Sequence, residues 1–180
     1  MLSYTVTSDI KLAVPRPILD GPKLFKLLNS DRKFFGYYLP WVKFTKTATD
    51  EIKFLQSTNK HLGTGDSLNL IIWFKEQIAG MISFNHFEKS RNSADIGYWL
   101  GKDFQGKGII TQAVKGLCDL GFQDYDLNRV IIVAAIDNKP SNAVAQHAGF
   151  HLEGTLRQNE PLDDGFHDEN IYSFLKDEWK

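Results

Sequence analysis

Gln105-Gly106-Lys107-Gly108-Ile109-Ile110-Thr111 combines residue types that can close around a phosphate. The stretch lies between a strand-like segment ending near Leu100 and a helix-like one beginning near Ile109. A helix N-terminus leaves backbone N–H groups unpaired and carries partial positive charge, so a glycine loop before it can cradle an anion. Gly106 and Gly108 could equally serve only to permit a tight turn. Two nucleotide fingerprints fail here: the GxxxxGK pattern followed by Ser or Thr is absent, and Thr111 stands where GxGxxG needs its last glycine.

Other chemistry-bearing residues lie further on. Asn138 and Ser141 follow an apolar run; both are good helix-capping types, and both could contact a ligand. Glu153, Glu160, Asp163, Asp164 and Asp168 fall in the late segments, as proton acceptors or as solvated charges. Asp163 and Asp164, followed by Gly165, are better explained by a hairpin turn. His147 and His151 are four apart, but Gly149 should end the helix between them, so a metal pair is not expected. His61, His86 and His167 have no partner by spacing. Cys118 is the sole cysteine, which excludes an intrachain disulfide and a thiolate-rich zinc site. It sits on an apolar helical stripe and reads as core.

These residues need elements to position them. Ile10–Val14 reads as a short strand, and Gly21 to about Leu39 as a helix ended by the Leu39-Pro40 step. Thr49 could cap a second helix carrying Ile52, Phe54 and Leu55. Leu68–Phe74, a turn at Lys75–Gln77 and Ile78–Phe87 form an expected hairpin. Ala94, Ile96, Tyr98 and Leu100 alternate with Asp95, Gly97 and Trp99, the period of a half-buried strand. Ile109 to Phe122 carries one apolar stripe, and Arg129–Ile136 reads as a strand covered on both faces. Pro140–Ala148 is a short helix with Gly149 just past its end. His151–Leu156 and Phe166–Phe174 are late strands. The order predicts a mixed sheet packed with helices, an α/β (α+β) fold.

The chain has 180 residues, about 1.2 times a typical domain length, so a single domain over 1–180 is expected. A chain this long buries roughly 70% of the surface it exposes unfolded, enough for a core without staples. Lys and Arg total 21 against 22 Asp and Glu, a formal net charge of −1. That balance excludes a nucleic-acid binder relying on a general basic field. The longest apolar run is Val130–Ile136, far short of the ~18 residues of a membrane span. The start, MLSYTVTSDIKLAV, lacks the pattern of a secretory signal, so a cytoplasmic protein is expected.

Five further stretches occur in order: Met81-Ile82-Ser83-Phe84-Asn85, Asp95-Ile96-Gly97-Tyr98-Trp99-Leu100, Asp137-Asn138-x-x-Ser141-Asn142, Gly149-Phe150-x-x-Glu153-Gly154 and Leu156-Arg157-Gln158. With the loop at 105–111, the series resembles the GNAT superfamily of N-acetyltransferases. Within it the series is similar to the RimJ/RimL-type ribosomal-protein N-terminal acetyltransferases, above all the RimL-like branch. Ile110 departs from the family loop, which has Gly or Ala there. Because a backbone amide makes the contact, the change is expected to alter packing more than binding.

The resemblance implies a mostly antiparallel sheet of about six or seven strands flanked by about four helices. It implies acetyl-CoA as acetyl donor, no metal, and direct attack by an amine in a ternary complex. Tyr98, Trp99 and Leu100 would occupy a splayed strand end facing the pantetheine arm. Gln105, Gly106, Lys107, Gly108, Ile109, Ile110 and Thr111 would hold the pyrophosphate. Asn138 would bond the pantetheine arm, Ser141 would face the thioester sulfur, and Glu160 would be the base. Trp41, Phe44 and Phe54 are candidates for an acceptor wall. The expected acceptor is a protein N-terminal α-amine, plausibly ribosomal with N-terminal Ser, and the family precedent implies a homodimer. Two other functions stay open: acetylation of a small amine (polyamine, amino acid or aminoglycoside), and a catalytically weak acyl-CoA-binding module.

Overall fold

A computed structural model describes residues 1–179. Eight strands form one sheet: β1 (Ser3–Thr5), β2 (Ile10–Ala13), β3 (Leu68–Phe74), β4 (Gln77–Glu88), β5 (Ser93–Leu100), β6 (Arg129–Ala135), β7 (His151–Leu162) and β8 (Gly165–Leu175). Five helices pack on it: α1 (Pro17–Asn29), α2 (Arg32–Tyr38), α3 (Ala48–Thr64), α4 (Ile109–Gln123) and α5 (Lys139–Ala148). The spatial order is β1-β2-β3-β4-β5-β6-β8-β7. Every neighbouring pair is antiparallel except β5 and β6, which run parallel. The mixed, mostly antiparallel architecture is therefore as expected, with one more helix and at least one more strand.

The middle strands are apolar on both faces, and their side chains alternate between two cores. Ile72, Ile82, Phe84 and Ile96 join Ala113, Val114, Leu117 and Cys118 of α4. Ile71, Met81 and Trp99 join Leu24, Leu28, Phe35 and Leu55 beneath α1–α3. Burial pushes the Cys118 thiol pKa up, which keeps it protonated and inert.

The parallel pairing of β5 and β6 is the feature that creates a site. It covers only Ser93 with Arg129, Ala94 with Val130 and Asp95 with Ile131. Beyond Asp95 the two strands diverge, although β5 stays paired with β4 as far as Leu100. A wedge opens in mid-sheet, with one backbone edge of β5 unpaired inside it.

Several sequence expectations are corrected. The helix expected from Gly21 to Leu39 is two helices and begins at Pro17. The polar step Asn29-Ser30-Asp31 breaks it, and the Ser30 hydroxyl donates to Leu27 O at 2.7 Å. The cap of α3 is Thr47 rather than Thr49, in a reciprocal capping box with Asp50. β7 continues six residues past Leu156 to Leu162, because pairing with β8 rather than burial holds this mostly exposed strand. β6 is not covered on both faces: Val133 is 40% exposed and looks into the wedge. Among the described residues, no helix is long and apolar enough to cross a membrane. Nor does any group of three or more His, Cys, Asp or Glu there form a metal cluster.

Candidate active site

The wedge is a cleft of about 650 Å³. One wall is β5 from Ile96 to Leu100, the other is the end of β6 with the start of α5, and the loop before α4 closes one end. The loop is shaped for an anion. Gly106 and Gly108 have φ of +70° and +72°, a region that L side chains enter at a cost of about 1–2 kcal/mol. A Cβ at either glycine would meet nothing within 4 Å, so glycine is there for its backbone conformation and the space in front is open. Gln112 N–H is bonded to Gly108 O. The N–H groups of Ile109, Ile110 and Thr111 precede it in the first turn, where an α-helix has no acceptor for them.

Side chains of the loop behave less as expected. Gln105 Nε2 donates to Leu100 O at 3.1 Å and so ties the loop to the end of β5. Lys107 Nζ donates to Asp103 O at 2.7 Å, within the loop. Ile110 is buried in the main core, consistent with a packing change rather than a lost backbone donor. An anion at this loop would therefore meet chiefly backbone amides.

At β5, Tyr98, Trp99 and Leu100 all border the cleft. The Trp99 ring packs edge-on against Phe35, with centroids 5.4 Å apart, and belongs to the opposite core. Gly97 leaves room for a neighbour: a Cβ there would lie 2.8 Å from the Asn85 amide. That amide donates to Asp95 at 2.6 Å while its oxygen accepts from the Ser83 hydroxyl at 2.7 Å.

Across the cleft, α5 begins at Asn138, whose Oδ1 accepts the Ser141 N–H at 3.3 Å. The capping role is therefore real, yet both residues also line the cleft. Buried Asn142 fixes their position. Its Nδ2 donates to Ala135 O and Asn138 O, both at 2.9 Å. Its Oδ1 accepts from Tyr172 Oη at 2.8 Å and Asn170 Nδ2 at 2.7 Å. The Ser141 hydroxyl lies 2.9 Å from Tyr98 Oη, which is also 3.2 Å from Ser141 O. Burial pushes the Tyr98 pKa up to about 12, so the pair stays protonated at neutral pH. This hydroxyl pair across the wedge escaped the sequence, because the two residues are 43 positions apart.

Of the five late carboxylates, only Glu160 lines the cleft. Glu153 accepts from Ser173 at 2.5 Å and pairs with Arg129 at 3.0 Å. Asp168 accepts the Gln158 N–H, and Asp164 is bound by His167 and Tyr37. Burial and the neighbouring Glu169 carboxyl push the Glu160 pKa up to about 6. Glu169, 5% exposed on β8, also lines the cleft and is a carboxylate that sequence reasoning missed; it lies two residues along β8 from His167, the cross-strand neighbour of Glu160.

A second hollow of about 380 Å³ continues from the cleft past Gly97, Tyr98 and Trp99. Trp41 and Phe54 line it, with ring centroids 6.2 Å apart and planes 11° off parallel. Arg32 holds the 3-10 turn bearing Trp41 by donating to Val42 O and Thr45 O. Phe44, 74% exposed, does not border this hollow.

The cleft thus lies where the sheet splits between two parallel strands, with a glycine loop and a helix N-terminus at its mouth. The chain matches the Acetyltransferase (GNAT) domain family over residues 13–151 and belongs to that family. It is an N-acetyltransferase with acetyl-CoA as acetyl donor. Its relatives within the family include ribosomal-protein acetyltransferases of the RimJ/RimL type. The ribosomal-protein-serine acetyltransferase of Escherichia coli (strain K12) is 35% identical over 154 residues, 86% of each chain. The RimL ribosomal L7/L12 alpha-N-protein acetyltransferase, solved with coenzyme A, superposes with a TM-score of 0.93 at 29% identity over 98% of this chain and 99% of that one. The microcin C7 self immunity acetyltransferase MccE, solved with acetyl-CoA and AMP, superposes with a TM-score of 0.88 at 36% identity over 94% of each chain.

Proposed function

We propose that this enzyme acetylates the N-terminal α-amine of a protein, a ribosomal protein with N-terminal Ser being the favoured class, by direct attack within a ternary complex. The observation that carries the reading is the placement of Glu160 and Ser141 in one cleft whose far end is the anion loop. The backbone amides of Gly106–Thr111 hold the pyrophosphate of acetyl-CoA, and Gln105 fixes the loop behind them. The unpaired edge of β5 at Tyr98, Trp99 and Leu100 takes the pantetheine arm, with the free Asn138 amide on the opposite side.

Holding both substrates makes the reaction effectively unimolecular, which can remove up to about 7–11 kcal/mol of barrier. The amine attacks the thioester carbonyl carbon as Glu160 takes its proton, directly or through water. An unpaired β5 amide stabilises the oxyanion. The sulfur leaves as a thiolate hydrogen-bonded to the Ser141 hydroxyl; with the parent thiol near pKa 8.5, full proton transfer is unnecessary. A carboxylate of modest basicity suits an α-amine with pKa near 8. A lysine near 10.4 would need about 3 kcal/mol more for deprotonation.

A second acceptor is favoured by one observation. The near-parallel Trp41 and Phe54 rings beside the cleft suit a flat group on a small amine, and the related MccE is solved with AMP. Thiol release from acetyl-CoA, measured against N-terminal Ser peptides, polyamines, amino acids, aminoglycosides and aminoacyl nucleotides, separates the readings. Peptide-dependent release is expected. Release only with a small amine reassigns the acceptor, and tight acetyl-CoA binding with no release marks a binding module.

A further inference from the structure

The register of the central strands sets a polar row beside an apolar one. Ile71, Met81 and Trp99 lie directly opposite one another on β3, β4 and β5 and are buried beneath α1–α3. Two residues away along each strand, on the same face, stand Asn69, Ser83 and Gly97. These three, with Asn85 of β4, line the second hollow, whose walls carry Trp41 and Phe54. Among the described residues no charged side chain lines it. The hollow and the cleft share Asn85, Gly97, Tyr98 and Trp99 in their walls, so a side chain can pass from one into the other.

The hydrogen bonds of this row have a direction. An ionised carboxylate only accepts, so the Asn85 group 2.6 Å from Asp95 is the amide N–H. The Asn85 oxygen then faces Ser83 at 2.7 Å and takes the single hydrogen of its hydroxyl. Gly97 O, 3.4 Å from Ser83 Oγ, is the weaker alternative. With that hydrogen committed, the Ser83 oxygen offers the hollow lone pairs only. A Cβ on Gly97 would press on the Asn85 amide that fixes this direction.

We propose that Ser83 is a specificity-determining residue for the acceptor: it accepts a hydrogen bond from a side-chain hydroxyl on the acceptor's first residue. The inference rests on the reading of the acceptor as an N-terminal α-amine. The amine and hydroxyl of an N-terminal Ser sit on adjacent carbons. A side chain entering the hollow therefore leaves its amine at the doorway, in the cleft that holds Glu160. Asn69, whose Nδ2 donates to Ser67 at 3.3 Å, completes an uncharged floor, with the Asp95 carboxylate behind it. Such a floor welcomes a hydroxyl and disfavours a carboxylate. A methyl in place of the hydroxyl would leave the Ser83 lone pairs without a partner.

Two peptides that differ only at residue 1, Ser against 2-aminobutyrate, exchange one hydroxyl for one methyl. The readout is the ratio of their kcat/KM values, because a general packing defect lowers both alike. The wild type is expected to favour Ser by about tenfold or more. In Ser83→Ala the ratio should fall to about one. A wild-type ratio near one overturns the proposal, and so does a preference for Ser that survives in Ser83→Ala. Should that variant not fold, Ser83→Cys takes its place: a thiol accepts poorly, and the ratio should again collapse. Equal turnover of both peptides removes the Ser83 role alone. Turnover of small amines with neither peptide used removes the N-terminal reading and the Ser83 role together.

Discussion

At the scale of single residues, the cleft separates two tasks that the acetyl transfer imposes. Glu160, with a pKa raised to about 6, is ionised at neutral pH and can accept a proton. Glu160→Gln keeps the size but not the acceptor, and turnover is expected to fall by about 10²–10³-fold. Acetyl-CoA affinity should stay unchanged, because the anion loop lies at the other end of the cleft. A calorimetric Kd beside a thiol-release kcat tests this, and equal loss in both would remove Glu160 from proton transfer. Ser141→Ala leaves Tyr98 Oη nearby as a substitute donor, so turnover should fall only about tenfold, the scale of one hydrogen bond. Wild-type kinetics in that variant would leave Ser141 with its capping role alone.

At the scale of elements, two buried polar side chains have opposite consequences. Asn142 joins α5 to β6 and β8 through four hydrogen bonds. Asn142→Ala strands several buried groups, each costing about 1–3 kcal/mol. A loss of roughly 2–4 kcal/mol in urea unfolding is expected, with poorer turnover because Asn138 and Ser141 ride on the same helix. Glu51, near the start of α3, is 2% exposed and has a carboxylate oxygen with no hydrogen-bond partner among the described residues. Burial pushes its pKa up to about 7. The folded state therefore holds a proton that the unfolded state releases, and Glu51 weakens the fold as pH rises from about 4.5 to about 7. Glu51→Gln should stabilise the protein at pH 8 by on the order of 1–3 kcal/mol and do little at pH 4. Chemical unfolding at both pH values measures it; an equal effect at both would mean that Glu51 does not titrate in this way.

At the scale of the whole molecule, one cluster joins segments that the chain keeps far apart. His167 on β8 is bound by Asp137, from the β6–α5 connection, and by Asp164, from the β7–β8 turn. Tyr37 of α2 reaches across to the same Asp164 at 3.1 Å. The two carboxylates raise the His167 pKa. Its contribution to stability is thus fully present below the ordinary histidine pKa and is lost as pH rises through the raised one. Melting temperature in the wild type should fall over that window more than in His167→Asn; parallel curves would contradict the assignment.

How far the sequence reaches is itself a matter of scale. Local signals were legible because neighbouring residues carry them. The glycines at 106 and 108, the Asn138–Ser141 spacing and the proline-to-glycine limits of α5 all announce themselves within a few positions. The motif series, read in order, was enough to mark the family and its donor. Other features depend on residues brought together by folding. Asn29-Ser30-Asp31 was a readable break that the apolar spacing outweighed. Val133 reads as core because an apolar residue facing a cleft looks the same in sequence as one facing a helix. The long reach of β7 was hidden because a strand held by pairing alone lacks a burial pattern. The Tyr98–Ser141 contact and the meeting of Glu160 and Glu169 on one cleft wall join residues on different elements, and no periodicity encodes such distances. The sequence by itself determined most element types, the glycine loop and the family chemistry. Only the tertiary structure decided where β5 leaves β6, and with it which hydroxyls and carboxyls face the cleft, because that divergence is a property of strand pairing rather than of any local run of residues.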